Sequence, residues 1–295
     1  MKSILMFTKC SYSNELHLRG HHMVCRKLKK DIQQEKIKRI IGFVILLILI
    51  LLLLWGYYIL TLPPARTLSE LAYDTNKLRG YTVYLEEETG YHPYLVVTKE
   101  YGKDNTVLLL RKYVLDEWQP FDEIDYYDSY YGRSHIDEYL NTVYLKTLDS
   151  ETRNQIEITA VDLTARTAWG SNGRDVPLKE ELPRKVFLLS DIEVGNKKMG
   201  SIREGEPLKY FTDDIQRLVT THTDGERSNW SLRTGALETA YKHYGLGFEL
   251  GLGLLASRAP TGVRPAFCFK GEVEVIQSDE IVNEETVYIL KREKE

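Results

Sequence analysis

Residues 116–135 read DEWQPFDEIDYYDSYYGRSH, six acidic side chains interleaved with six aromatic rings. Rings stack on the C–H faces of sugars and carboxylates accept from hydroxyls, so Trp118, Asp122, Asp125, Tyr126, Tyr127 and Asp128 are candidate ligand-binding residues for a glycan or a peptide. Oxygen ligands at this density would also suit calcium. Glycoside hydrolysis needs two carboxylates about 5–10 Å apart across a cleft. The acids of 116–137, ending at Asp137, are the candidates for that alternative. The same composition also describes a connection between a strand and a helix, with rings packed down and acids solvated. No catalytic residue is assigned.

Other reactive types are arranged less suggestively. GLGFELG, Gly245–Gly251, fits GxGxxxG but has neither the dinucleotide spacing nor the Lys-Ser/Thr of a phosphate loop, so it reads as a bend or a bulged strand. His92, His135, His222 and His243 stand singly, which predicts no metal site, and no cofactor motif appears. Cys268 alternates with Phe267 and Phe269 and reads as a small core residue. Two arginines are different. In WSLRTG, Arg233 lies opposite Trp230 and Leu232; in GVRPAFCF, Arg264 lies opposite Val263, Pro265 and Phe267. A buried guanidinium has to be paired, and its five donors can tie several loops together. Trp230, Arg233, Arg264 and Pro265 are therefore expected to be structural, with Pro265 holding the residue before it extended.

The elements that position these residues follow from periodicity. YTVYL, YLVVT and TVLLLRKYVL are rich in β-branched and aromatic residues and separated by turn formers, which predicts an antiparallel meander. Ser134 with Asp137 marks a helix start, and Ile136, Leu140, Val143 and Tyr144 fall on one helical face. A second short helix is expected from Ser150 to about Ile156. IEITAVDL and KVFLLS read as strands, the polar stretch from Thr164 to Arg184 as an exposed loop, and Ser190 with Glu193 as a capping box. Strands, then helices, then strands make an α+β class.

In front of this lies Ile40–Leu60, 21 residues without a charge, long enough to cross a bilayer and bordered by Trp55, Tyr57 and Tyr58. Residues 1–39 carry ten Lys or Arg against three acids, and the remainder 29 basic against 40 acidic groups. Basic residues just before the apolar run keep the amino end in the cytosol. The acidic remainder excludes a phosphate-backbone surface, hence no nucleic acid as partner. The expected organisation is a basic cytoplasmic tail (1–39), a transmembrane signal anchor (40–60), a spacer (61–80) and an extracytoplasmic domain (81–295). Cys10 and Cys25 fall on the cytosolic side and Cys268 alone outside, so the domain is expected to hold together without a disulfide.

KVFLLSDIEV, LKYF, WSLRTG and TGVRPAF, after a helix start of the form S-x-I-x-x-Y-L-N, resemble an uncharacterised domain family of bacterial cell-surface proteins, over roughly residues 81–290. That family is in turn similar to the C-type-lectin-like and formylglycine-generating-enzyme superfamily. The resemblance implies a lectin-like α+β fold of twisted antiparallel sheets with two main helices. The sequence departs from the family pattern at Asp137, Tyr139, Ser231 and Thr234-Gly235, and it lacks both the cysteine pair of the formylglycine enzymes and the calcium motifs of sugar-binding lectins.

The function these features predict is non-enzymatic: a plasma-membrane protein, anchored in the lipid bilayer through Ile40–Leu60, that displays a domain for a cell-wall glycan, a peptide or another surface protein. The alternatives are an enzyme acting on surface polymers and a structural subunit of a membrane complex. Met23 immediately precedes the basic cluster, and translation is expected to start there. Amino-terminal mass spectrometry should then find no peptide from residues 1–22.

Overall fold

A computed structural model describes residues 18–60, 64–75, 80–103, 105–123, 129–169, 178–196, 204–237, 241–247, 251–282 and 285–292. The chain divides into two units, 1–63 and 64–295. The first is the helix α1, Leu18–Leu60. Its segment Gln33–Tyr58 is apolar enough to cross a membrane, a property that anchors and signal sequences share. At 1.5 Å per residue it measures about 39 Å, more than a hydrocarbon core of about 30 Å.

The second unit is α+β. Its helices are short: α2 (Leu68–Leu71), α3 (His135–Tyr139), α4 (Leu145–Thr147), α5 (Ser150–Gln155) and α6 (Lys209–Thr212). A π-helical turn, Leu140–Tyr144, joins α3 to α4. Strands β1 (Thr82–Glu87), β2 (Gly90–Thr98) and β3 (Thr106–Arg111) form the expected meander. There follow β4 (Thr159–Thr164), β5 (Lys179–Arg184), β6 (Val186–Phe187), β7 (Thr220–Thr221), β8 (Arg227–Ser228), β9 (Trp230–Gly235), β10 (Lys242–Leu246), β11 (Leu252–Ala256), β12 (Ala266–Lys270), β13 (Val275–Val282) and β14 (Glu285–Leu290).

Seven strands share one sheet in the order β13-β14-β1-β2-β3-β12-β6, and a three-stranded sheet runs β11-β10-β9. The β1–β14 pair is parallel, so the large sheet is mixed. At its centre the consecutive residues Val107–Arg111 and Ala266–Phe269 are all buried, as strands covered on both faces must be. Cys268 is among them, and burial pushes its thiol up to about 12, which makes it inert.

Three local expectations change. The 61–80 stretch is not all spacer: Leu68, Leu71, Ala72 and Tyr73 are buried, and the Leu68 N–H donates to Val273 O at 3.0 Å. The Arg217 guanidinium lies 4.1 Å from the Tyr73 ring and 4.9 Å from that of Tyr210, which ties this stretch to α6. Ile136, Leu140 and Tyr144 are buried as the pattern predicts, but Val143 is 52% exposed. The π turn carries more residues per turn than an α-helix and swings Val143 away from the buried face. The second helix, α5, starts at Ser150 as expected, and Asp149 caps it, accepting from the Glu151 and Thr152 N–H groups. The polar stretch read as a loop contains β5, which pairs with β4 along its whole length. Its charged residues and Pro183 hide the strand from a periodicity argument because they suit an exposed edge.

His243 is fully buried, its ring 4.4 Å from that of Phe121 and its Nε2 2.9 Å from Ser231 Oγ. Its Nδ1 has no hydrogen-bond partner among the described residues. Burial alone pushes the imidazole down to about 3. Below about 6.5 the unfolded chain binds a proton here that the folded chain does not, so stability is complete above that pH and falls as pH drops towards 3. The free energy of unfolding should be roughly 2 kcal/mol lower at pH 5 than at pH 7 through this group. His243→Gln should flatten that slope in urea titrations; equal slopes in the two proteins would refute the assignment.

Candidate functional site

The expected ligand surface divides. Trp118 is 38% exposed, and its indole lies parallel to His222 at 5.8 Å. Asp122 is buried, and its Oδ1 accepts from the His135 N–H at 3.2 Å, so it holds the start of α3. Asp125, Tyr126, Tyr127 and Asp128 lie outside the described residues.

A cleft of about 740 Å³ opens instead between α3 with its π turn on one side and the carboxyl end of β5 on the other. Ser134 caps α3, its Oγ accepting from the Asp137 N–H at 3.2 Å as the spacing predicts. The cap sets Asp137 towards Arg184, whose Nε donates to Asp137 Oδ1 at 2.8 Å and Nη2 to Oδ2 at 2.7 Å. Asn141, in the π turn, donates to Asp137 Oδ1 at 3.3 Å. It also closes the edge of the large sheet: Nδ2 donates to Val186 O at 2.9 Å, and Oδ1 accepts from the Val186 N–H at 3.2 Å. Burial pushes the Asp137 carboxyl up while Arg184 pulls it back. Both oxygens are engaged, so Asp137 serves as the fixed counter-ion of Arg184 rather than as an acid or base. Exposed on the same wall system are Glu138 and Ile158, the latter 65% accessible. Among the described residues no cluster of three metal-ligating side chains occurs.

The two core arginines solve burial differently. Arg233 uses all five donors. Nε donates to Asp162 O at 3.0 Å; Nη1 donates to Leu188 O at 2.9 Å and Glu193 Oε2 at 2.7 Å; Nη2 donates to Glu193 Oε1 at 2.8 Å and Glu204 O at 3.3 Å. Glu193 is held in turn by the predicted capping box, accepting from the Ser190 N–H while its own N–H donates to Ser190 Oγ, and it also accepts from the Tyr101 hydroxyl.

Glu204 accepts from the Thr164 N–H and hydroxyl, and its Oε2 lies 2.6 Å from Thr234 Oγ1. That hydroxyl also lies 3.1 Å from Asp191 Oδ1, and it has a single proton to donate. Burial pushes the Glu204 carboxyl above its ordinary range, while Arg233 and the bonds from Thr164 and Thr234 pull it back.

Arg264 is equally buried but meets no carboxylate among the described residues. Nε donates to Arg111 O at 3.1 Å, the guanidinium lies 4.6 Å from the Trp230 ring, and Nη1 has no hydrogen-bond partner among the described residues. Burial pushes it down to about 10, still charged at neutral pH. Pro265, which has no N–H to leave unpaired, offers only its carbonyl, and that accepts from the Arg111 N–H at 2.9 Å. Gly262 precedes them because a Cβ there would lie 2.2 Å from Asn229 O. Trp230, beside it, is fully buried and donates to Leu218 O at 3.4 Å.

The family described as a domain of unknown function, DUF6273, matches residues 104–271, more than half of the chain. The chain belongs to that family. No curated protein and no solved structure matches it. The DUF6273 match runs from β3 to the end of β12 and takes in the cleft and both arginines; β1, β2, β13 and β14, four of the seven strands in the large sheet, lie outside it.

Sequence reasoning did not find Arg184 or Asn141. The available signal was Asp137, an acid directly behind a helix cap, which calls for a cation that local spacing does not locate. Replacing each core arginine by methionine separates their roles. Arg233→Met strands Glu193 in the core and should cost about 3–5 kcal/mol in urea unfolding, whereas Arg264→Met frees no buried carboxylate and should cost about 1–2 kcal/mol. Equal costs would contradict this contrast.

Proposed function

We propose that this DUF6273 protein is a single-pass membrane protein that holds residues 64–295 outside the cytoplasm and binds a glycan or peptide of the cell envelope in the Asp137–Arg184 cleft. The observation that carries the reading is the cleft itself. Its charged wall is locked by the Ser134 cap and the Asp137–Arg184 pair, so it is organised before any ligand arrives, and its volume lies in the range of ligand sites. Ile158 and Leu145 offer apolar surface beside hydrogen-bonding groups, a mixture that suits sugars and peptides alike.

Membrane attachment is supported by Gln33–Tyr58, and orientation by the basic residues that precede it. A residue of bulk such as Leu53, 74% exposed, has its natural solvent in lipid. Short helices against twisted sheets are compatible with the lectin-like expectation, in which Trp230, Arg233, Arg264 and Pro265 brace the domain and touch no ligand. Among the described candidates Trp118 is an exposed ring that can add a stacking surface.

Glycan and peptide arrays probed with residues 64–295 should give a set of bound ligands that Ile158→Arg, which fills the cleft from an exposed position, weakens at least tenfold without changing Tm. Protease added to intact cells should remove the domain. Binding unaffected by the substitution would sink the cleft, and full protection would sink the orientation.

A further inference from the structure

Every free strand edge but one in the described structure is closed to other strands. At β6 the Asn141 amide occupies both backbone groups of Val186. The outer edge of β4 is taken by Arg233 Nε on Asp162 O and by Glu204 on the Thr164 N–H. That of β9 is taken by Gly262 O and Leu189 O, which accept from the Ser231 and Arg233 N–H groups. Strand β5 carries Lys179, Glu180, Glu181, Pro183 and Arg184. Strand β13 carries Asp279 and Glu280 at a break in its register. The strands β7 and β8 have two residues each. Charges, proline, bulges and brevity are the devices by which proteins keep sheet edges from pairing.

Strand β11 has none of them. Its sequence, LGLLA, is uncharged, and it pairs only with β10. Leu254 is 43% exposed, and Gly251, Gly253 and Ala256 are exposed. The phase of the ladder fixes what the open side offers. The Gly247 N–H donates to Gly251 O, and the Ser257 N–H to Tyr241 O, both at 2.9 Å. Hydrogen-bonded pairs alternate along an antiparallel ladder, so Gly253 and Leu255 also face β10. The N–H and C=O groups of Leu252, Leu254 and Ala256 therefore point to the open side.

From this we infer that β11 is the edge through which two copies of this chain pair, antiparallel about a two-fold axis at Leu254. The occupant is a second copy because the strand is complementary to itself. A two-fold axis normal to the sheet keeps each side chain on its own face, so it must pass through a pair of identical residues. Centred on Leu254, it is the one register that uses all three outward residues of both copies, with about six interstrand hydrogen bonds. That register sets Leu252 opposite Ala256, large against small, and Leu254 opposite Leu254, with no like charges to repel. The paired leucines then cover one another, which removes the exposed apolar stripe.

The test uses the full-length chain in detergent micelles. Light scattering should find a dimer whose dissociation constant rises at least tenfold in Leu254→Lys, because two ammonium groups then meet across the axis, while Tm stays unchanged. Leu254→Cys, in a Cys10→Ser, Cys25→Ser background, should oxidise to a covalent dimer, since hydrogen-bonded partners have Cα atoms about 5.5 Å apart, within disulfide reach. Tyr241→Cys, exposed but off the edge, should not. A monomeric wild type, a dimer indifferent to Leu254→Lys, or equal cross-linking at the two cysteine positions would each overturn the inference. So would a monomer whose edge takes a strand of a different protein.

Discussion

A guanidinium keeps its proton at any pH the protein meets, so the charge of Arg233 has to be answered where it is buried. The answer comes from separate places in the chain: a carbonyl on β4, a carbonyl after β6, the carboxylate and capping box of Glu193, and the backbone of Glu204. The side chain of Arg233 stands in for a missing ladder, and the loops are fixed because the arginine cannot be satisfied without all of them. The cleft depends on the same constraint at one remove. Strand β4 is held on its outer side by Arg233 and on its inner side by β5, and Arg184, which locks Asp137, is the last residue of β5.

Much of this was legible in the sequence wherever the deciding interaction is local. Ser134 and the Ser190–Glu193 pair announce themselves at three-residue spacing because a cap must reach the N–H groups it covers. The meander β1–β3 is legible for the same reason, since turn residues sit between the runs they reverse. What was hidden depends on distant partners. Arg184 lies 47 residues from Asp137, and β14 joins β1 in parallel from the far end of the chain. The strand character of β5 was hidden by function of a different kind: Lys179, Glu180, Glu181 and Pro183 make it a poor candidate by propensity and a good edge by exclusion. Of the ligand surface drawn around 116–128, the described part separates into an exposed ring at Trp118 and a buried helix anchor at Asp122. Alternation of acids with rings does not distinguish a carboxylate that faces solvent from one that faces an N–H.

Arg233 and Arg264 look alike in sequence, each an arginine on the opposite face from a bulky apolar set, yet they are not equivalent. Arg233 sits among acids and is held by a bidentate pair. Among the described residues Arg264 has one carbonyl and the face of Trp230, a weaker answer that an aromatic quadrupole can give without a compensating charge. Placing a carboxylate beside Arg264 would have meant desolvating a second ion, and such a penalty often exceeds the attraction gained. The indole avoids it. The arrangement also explains why Trp230, Gly262, Arg264 and Pro265 occur together. The ring needs Gly262 to let the backbone approach, the guanidinium needs the ring, and a proline next to it costs no buried N–H at the point where the chain turns into β12. These four residues fall within the DUF6273 match, as do Arg233 and its direct partners Asp162, Leu188, Glu193 and Glu204. In this chain the matched region accommodates two buried cations in two different ways.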